Sequence, residues 1–157
     1  MARRSEEFAK RFEQVNSEFT KAVGSSSDAQ WRAACKDEGW PFGVTAHHVA
    51  VSHAAISGLV GVMAAGGAMP PLTMDNINEG NAAHATEQAN CTKEETAKLL
   101  RENGVAAAQM VRGLSDDQLE KSGSFLGQEM TAGQAIEGVL IGHVAGHLAS
   151  LKAAAGG

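Results

Sequence analysis

Trp40-Pro41-Phe42-Gly43-Val44-Thr45-Ala46-His47-His48-Val49-Ala50-Val51-Ser52-His53 and its apolar continuation to Ala65 decide the fold. No Asp, Glu, Lys or Arg occurs between Pro41 and Met74. A run that long and apolar superficially resembles a membrane span. It also holds His47, His48 and His53, several glycines and the Pro70-Pro71 break, and no basic residues anchor its flanks. The stretch therefore reads as a buried core helix, with Pro41 tolerated in its first turn. It runs to Ala64 or Ala65, where Gly66-Gly67 and Pro70-Pro71 stop it.

Upstream, Phe8, Phe12, Val15, Phe19 and Val23 recur by fours and threes among Glu, Lys, Arg and Gln. That spacing predicts an amphipathic helix over roughly Ser5 to Val23. Ser27-Asp28-Ala29-Gln30 reads as a capping box opening a short turn toward Trp31. Downstream, the segment around Asn76, Asn78, Asn81 and His84 reads as a polar connection. Thr92-Lys93-Glu94-Glu95 caps a third long helix that carries Leu99, Leu100, Val105, Met110 and Val111, although helix could begin as early as Asn78. Ser115-Asp116-Asp117-Gln118 caps a further short turn. Thr131-Ala132-Gly133-Gln134 caps a last long helix holding Ile136, Leu140, His143, His147 and Leu151. No credible strand pattern appears, so the expected fold is an all-α four-helix bundle with short extra helical turns, a single domain over residues 1–157.

Composition narrows the function. The formal net charge is −5 and no stretch concentrates Lys or Arg, so the basic stripe that phosphate binding needs is missing and nucleic acid is not an expected partner. No membrane association is expected either. Cys35 and Cys91 form no CxxC pair, and two thiols in 157 residues suit a reducing cytosol. The charged start shows no signal peptide, which predicts a cytoplasmic protein. The cysteines are given no role, because single helical cysteines usually act as small hydrophobes.

Six histidines point to metal. At about 100° per residue, Val44, Val51, Ala55, Leu59 and Val62 fall within about 60° of His48, which places His48 in the middle of the apolar stripe. His47 lies about 100° away on the flank and His53 about 140° away, so His53 is expected to face outward. His143 and His147 are one turn apart on the face shared by Ile136, Val139, Leu140 and Leu151. Two imidazoles so placed can grip one ion, as in zinc helices with the HxxxH spacing. His48 can join them only if the second and last helices run antiparallel. An inward histidine can equally be a core residue bonded to a carbonyl.

The Trp40–Ala50 stretch resembles the tryptophan-then-helix motif of the DinB/YfiT-like superfamily, whose histidine follows the tryptophan by eight, here His48. Ile141-Gly142-His143-Val144-Ala145-Gly146-His147-Leu148 is similar to that family's last-helix HxxxH. Asn78-Glu79-Gly80-Asn81 and Leu114-Ser115-Asp116-Asp117-Gln118-Leu119 fit in order between them. The resemblance implies a four-helix bundle, in many members a homodimer, with His48, His143 and His147 holding one divalent transition metal. Three imidazoles suit nickel, zinc, iron(II) or copper and leave positions open for substrate.

Some members of that superfamily, including the mycothiol-dependent maleylpyruvate isomerases, use low-molecular-weight thiols. The first expectation is accordingly a metal-dependent thiol S-transferase or isomerase acting on a small thiol and an electrophilic substrate. His47, Asn81 and His84 are its candidate pocket residues, and no catalytic residue is assigned. The alternatives are a metal-dependent hydrolase and a non-catalytic metal- or ligand-binding stress-response module. Against hydrolysis stands the lack of an inward carboxylate for a general base: Glu137 sits about 120° from His143.

Overall fold

A computed structural model describes residues 3–156; Met1, Ala2 and Gly157, the ends of the expected domain, lie outside the described residues. In chain order the elements are α1 (Arg4–Ser25), α2 (Asp28–Arg32), α3 (Phe42–Ala64), α4 (Met74–Glu87), α5 (Lys93–Arg112), α6 (Asp116–Leu119), β1 (Ser122–Phe125), β2 (Gln128–Thr131), α7 (Ala132–Ala135) and α8 (Gly142–Gly156). A π-helical segment, Ile136–Ile141, joins α7 to α8 without a break. α1, α3, α5 and the composite α7–α8 are the four helices of a bundle.

α5 and α8 each pack against both α1 and α3, so α1 and α3 face each other across the diagonal. Phe12, Phe19 and Val23 from α1 meet Leu100 and Val111 from α5, with Ile136, Leu140, Val144 and Leu151 from the last helix. Each is fully buried, and burying a side chain of this size contributes about 1.5–3 kcal/mol. Ile56, Leu59, Val60 and Met63, late in α3, share a small apolar pocket with Ala135 and Val139, early in the last helix. His48, early in α3, lies beside His143. The two helices are therefore antiparallel. α3 is long and apolar enough to cross a membrane by length and composition, yet here it is the core helix against which α5 and α8 pack.

The capping boxes set the element boundaries. Ser27 with Gln30, Thr92 with Glu95, Ser115 with Gln118 and Thr131 with Gln134 each close reciprocally, as the sequence predicts. A fifth, Thr73 with Asn76, opens α4 where the sequence reading places a polar connection. Two further departures concern the last helix and the segment before it. Ser122–Phe125 pairs antiparallel with Gln128–Thr131, despite the expectation of no strand. The hairpin turns on Leu126 (φ 52°) and Gly127 (φ 79°), a pair of left-handed residues that suits a two-residue hairpin turn. Each strand has only four residues, too few for alternation to show in sequence. The last helix, expected as one long helix from the Thr131 cap, carries the π segment Ile136–Ile141 within it.

Candidate metal centre

The first turns of α3 are buried on every side, from Phe42 to Ala50. His48 projects from this segment to the middle of α8. Its Nε2 lies 3.0 Å from Nε2 of His143, and the two ring centroids are 5.0 Å apart. His147 stands one turn beyond His143, with ring centroids 4.5 Å from His143 and 5.1 Å from His48. One nitrogen from each of the three rings lies within 4.8 Å of the other two. The structure thus brings His48, His143 and His147 together.

Burial holds His48 down to about 4, helped by the nearby His147 and His84, and His143 down to about 3, helped by His147 and His48. Both rings are therefore neutral at pH 7 and offer a lone pair. Two uncharged Nε2 atoms facing each other at 3.0 Å can share at most one hydrogen; an ion between them satisfies both lone pairs. A tetrahedral ion with bonds of about 2.0–2.1 Å would hold its donors about 3.3 Å apart, so the geometry fits a cation with small adjustments.

The turn before α3 frames the site. Cys35 N–H donates to Trp40 O (2.8 Å), Gly39 N–H to Cys35 O (2.9 Å) and Phe42 N–H to Ala33 O (2.7 Å). Gly39 sits at φ +74°, where a side chain would be strained. The turn sets the Trp40 ring edge-on against His48, with centroids 5.2 Å apart. It also places Glu38 Oε1 2.8 Å from Nδ1 of His147. The Glu38 side chain is only 9% exposed, and its Oε2 is buried with no hydrogen-bond partner. Here the sequence reading needs correction, since it found no inward carboxylate. Glu38 lies 109 residues from His147, in a turn, where helical spacing carries no information. The one available signal was Asp37-Glu38-Gly39 itself, an acidic turn just before Trp40. Glu137, as expected, points away and pairs with Arg11.

Of the three candidate pocket residues, His47 and His84 meet directly: Nδ1 of His47 lies 2.8 Å from Nε2 of His84. The ring of His84 is 5.8 Å from that of His48, and its Nδ1 is buried without a partner. Burial lowers both pKa values. Asn81 precedes His84 by one turn on the same half-buried face of α4.

His53 departs from expectation. It is 1% exposed, and its Nε2 lies 2.7 Å from Asn16 Oδ1 on α1. Asn16 Nδ2 donates to Leu100 O (3.2 Å), which leaves Oδ1 as the acceptor for His53. A helical wheel with one apolar side assumes an opposite wet side. On α3 the wet side is instead the one taken for the inner stripe, where Ala55 and Val62 are exposed, and the side carrying His53 is closed by α1 across the diagonal.

The sequence profile of the DinB superfamily matches residues 11–151. The chain belongs to the DinB superfamily. A solved DinB-like relative, YfiT from Bacillus subtilis, is described as a probable metal-dependent hydrolase with an unusual four-helix bundle topology. It superposes with a TM-score of 0.78 at 19% identity, over 96% of this chain and 85% of that one. At that identity the likeness speaks for the fold. No curated protein matches the sequence. The chain thus combines the DinB fold with a cluster of three histidines of a kind that could hold a metal ion, placed on two antiparallel helices.

Proposed function

We propose that this DinB protein is a metal-dependent transferase or isomerase that joins a low-molecular-weight thiol to an electrophilic substrate. The carrying observation is the convergence of three imidazoles from α3 and α8, with Nε2 of His48 and His143 3.0 Å apart. His48, His143 and His147 are the residues that would hold nickel, zinc or iron(II). Imidazole donors bring no negative charge, so an exogenous anion is favoured at the open positions. A divalent cation bound there supplies the Lewis acidity that lowers a thiol's pKa and presents the thiolate.

The chain's own residues support this reading. Trp40 walls off one side of His48 and keeps water from it. The unpartnered Nδ1 of His84, fixed by His47, is a hydrogen-bonding position for substrate next to His48, with Asn81 beside it. Glu38 is engaged with His147 through Oε1, and thiol transfer asks no further task of it. A thiol is acidic enough to need no base.

A second reading, metal-assisted hydrolysis, is favoured by one observation: the buried, unpartnered Oε2 of Glu38 beside the site. YfiT's description as a probable hydrolase points the same way. Two experiments decide. Elemental analysis should find about one equivalent of metal in wild type and far less in His48→Ala and His147→Ala; equal content in all three removes the site. Metal-loaded protein is then assayed for thiol consumption with glutathione, bacillithiol and mycothiol, and separately for ester and amide hydrolysis. Turnover that needs a thiol supports transfer, turnover without one supports hydrolysis, and full loading with no turnover leaves a binding module.

A further inference from the structure

A carboxylate as deeply buried as Glu38 is costly unless it is paired and hydrogen-bonded. Its single hydrogen-bond partner among the described residues is Nδ1 of His147, at 2.8 Å. We infer that Glu38 is a positioning residue for the cation, holding the His147 ring in the tautomer and orientation that direct Nε2 to the point shared with His48 and His143. This inference rests on reading the three histidines as a cation site.

The geometry supports it in three ways. A carboxylate oxygen can only accept, so Nδ1 of His147 carries the hydrogen and Nε2 is the ring atom left to bind a cation. Carboxylates behind metal-bound histidines act in this manner, fixing the ring and raising its basicity. Secondly, the turn is built to deliver Glu38. Its backbone bonds tie Cys35 to Trp40 and Ala33 to Phe42, and Ser150 Oγ, one turn past His147, lies 3.4 Å from Asp37 Oδ2. The turn is thus docked on α8 at a second point beside the Glu38–His147 contact. Thirdly, the partnership is not general to the cluster, since Nδ1 of His143 is buried with no acceptor. His147 is also the more exposed end of the pair, at 19% against 9% for Glu38. Without an anchor it has the greater freedom to turn away. The carboxylate also brings one negative charge near a dication held by imidazoles, reducing the local net charge from +2 to +1.

The test uses the whole protein. Zinc and nickel affinities are measured by competition with a chromophoric chelator for wild type, Glu38→Gln and Glu38→Ala. The hydrogen-bonded Nδ1–H of His147 is followed by proton–nitrogen NMR in the metal-free proteins. Removing the acceptor should weaken binding roughly 10–100-fold and abolish the protected Nδ1–H signal. Glu38→Gln keeps an acceptor oxygen at the same reach. It should retain the signal and recover part of the affinity, and it carries the test if Glu38→Ala fails to fold. Affinities within twofold of wild type in both variants (in Glu38→Gln alone if Glu38→Ala does not fold), or an Nδ1–H signal that survives in Glu38→Ala, would overturn the inference. Wild type that binds neither ion removes the three-histidine reading and this inference together. Wild-type binding with unweakened variants removes this inference alone.

Discussion

His53 shows how much one side chain can carry at the centre of a bundle. Its ring reaches across the diagonal from α3 to Asn16 on α1 and stands edge-on to Phe12, with centroids 5.0 Å apart. Burial lowers its pKa from 6.5 to about 4. The sign follows directly. As pH falls below 6.5 the unfolded chain takes up a proton that the native ring refuses until about 4, so stability is lost on acidification. The window is about 2.5 pH units, or about 3 kcal/mol at roughly 1.4 kcal/mol per unit. Urea unfolding of metal-free protein at pH 7, 6, 5 and 4 should show this fall. His53→Gln should be less stable at pH 7 but lose less on acidification, and parallel pH profiles would assign the acid sensitivity elsewhere.

Single elements divide into those that announce themselves locally and those that do not. Four capping boxes, the phenylalanine stripe of α1 and the uncharged run of α3 are local patterns, and the sequence exposes them. The facing of His143 and His147 also follows from helix periodicity, whereas the stripe that placed His48 inward is buried only near Val44, with Ala55 and Val62 exposed. Glu38 and the orientation of His53 are matters of tertiary contact, and the short hairpin is too brief for a pattern to form. α4 illustrates a middle case: Thr73 and Asn76 form the same reciprocal cap, but Asn in place of Glu or Gln hides it. Two predictions belong to the turn from Cys35 to Pro41. Gly39→Val forces a branched side chain to φ +74° and should cost about 1–2 kcal/mol of stability while loosening metal binding, measurable by thermal denaturation and chelator competition. Because Trp40 lies 5.2 Å from His48, nickel or copper should quench tryptophan fluorescence. Trp40→Phe should remove the larger part of that quenching, since Trp31 is held elsewhere by its bond to Cys91 O.

At the scale of the whole molecule, the candidate ligands tie α3 to α8, two helices that the chain separates by α4, α5 and the hairpin. An ion bound there stabilises only the folded arrangement. At a free concentration 100 times its dissociation constant it should add about 2.7 kcal/mol, seen as a rise in Tm that a chelator reverses and that His147→Ala abolishes. The segment Ile136–Ile141 gives this tie a hidden dependence. A π turn accommodates one residue more than an α turn, so it works as an inserted tooth in the gearing of the last helix. The wide turn takes up that residue, so everything after it keeps its facing relative to Ala132–Ala135. Excising Gly138 would remove the extra residue together with the wide turn and should leave His143 and His147 in place, whereas inserting one alanine after Ile141, beyond that turn, would rotate them by about 100° about the axis and push them about 1.5 Å along it. The insertion variant should keep its helical circular dichroism and lose its metal. The histidines would still be four apart, and still useless to His48.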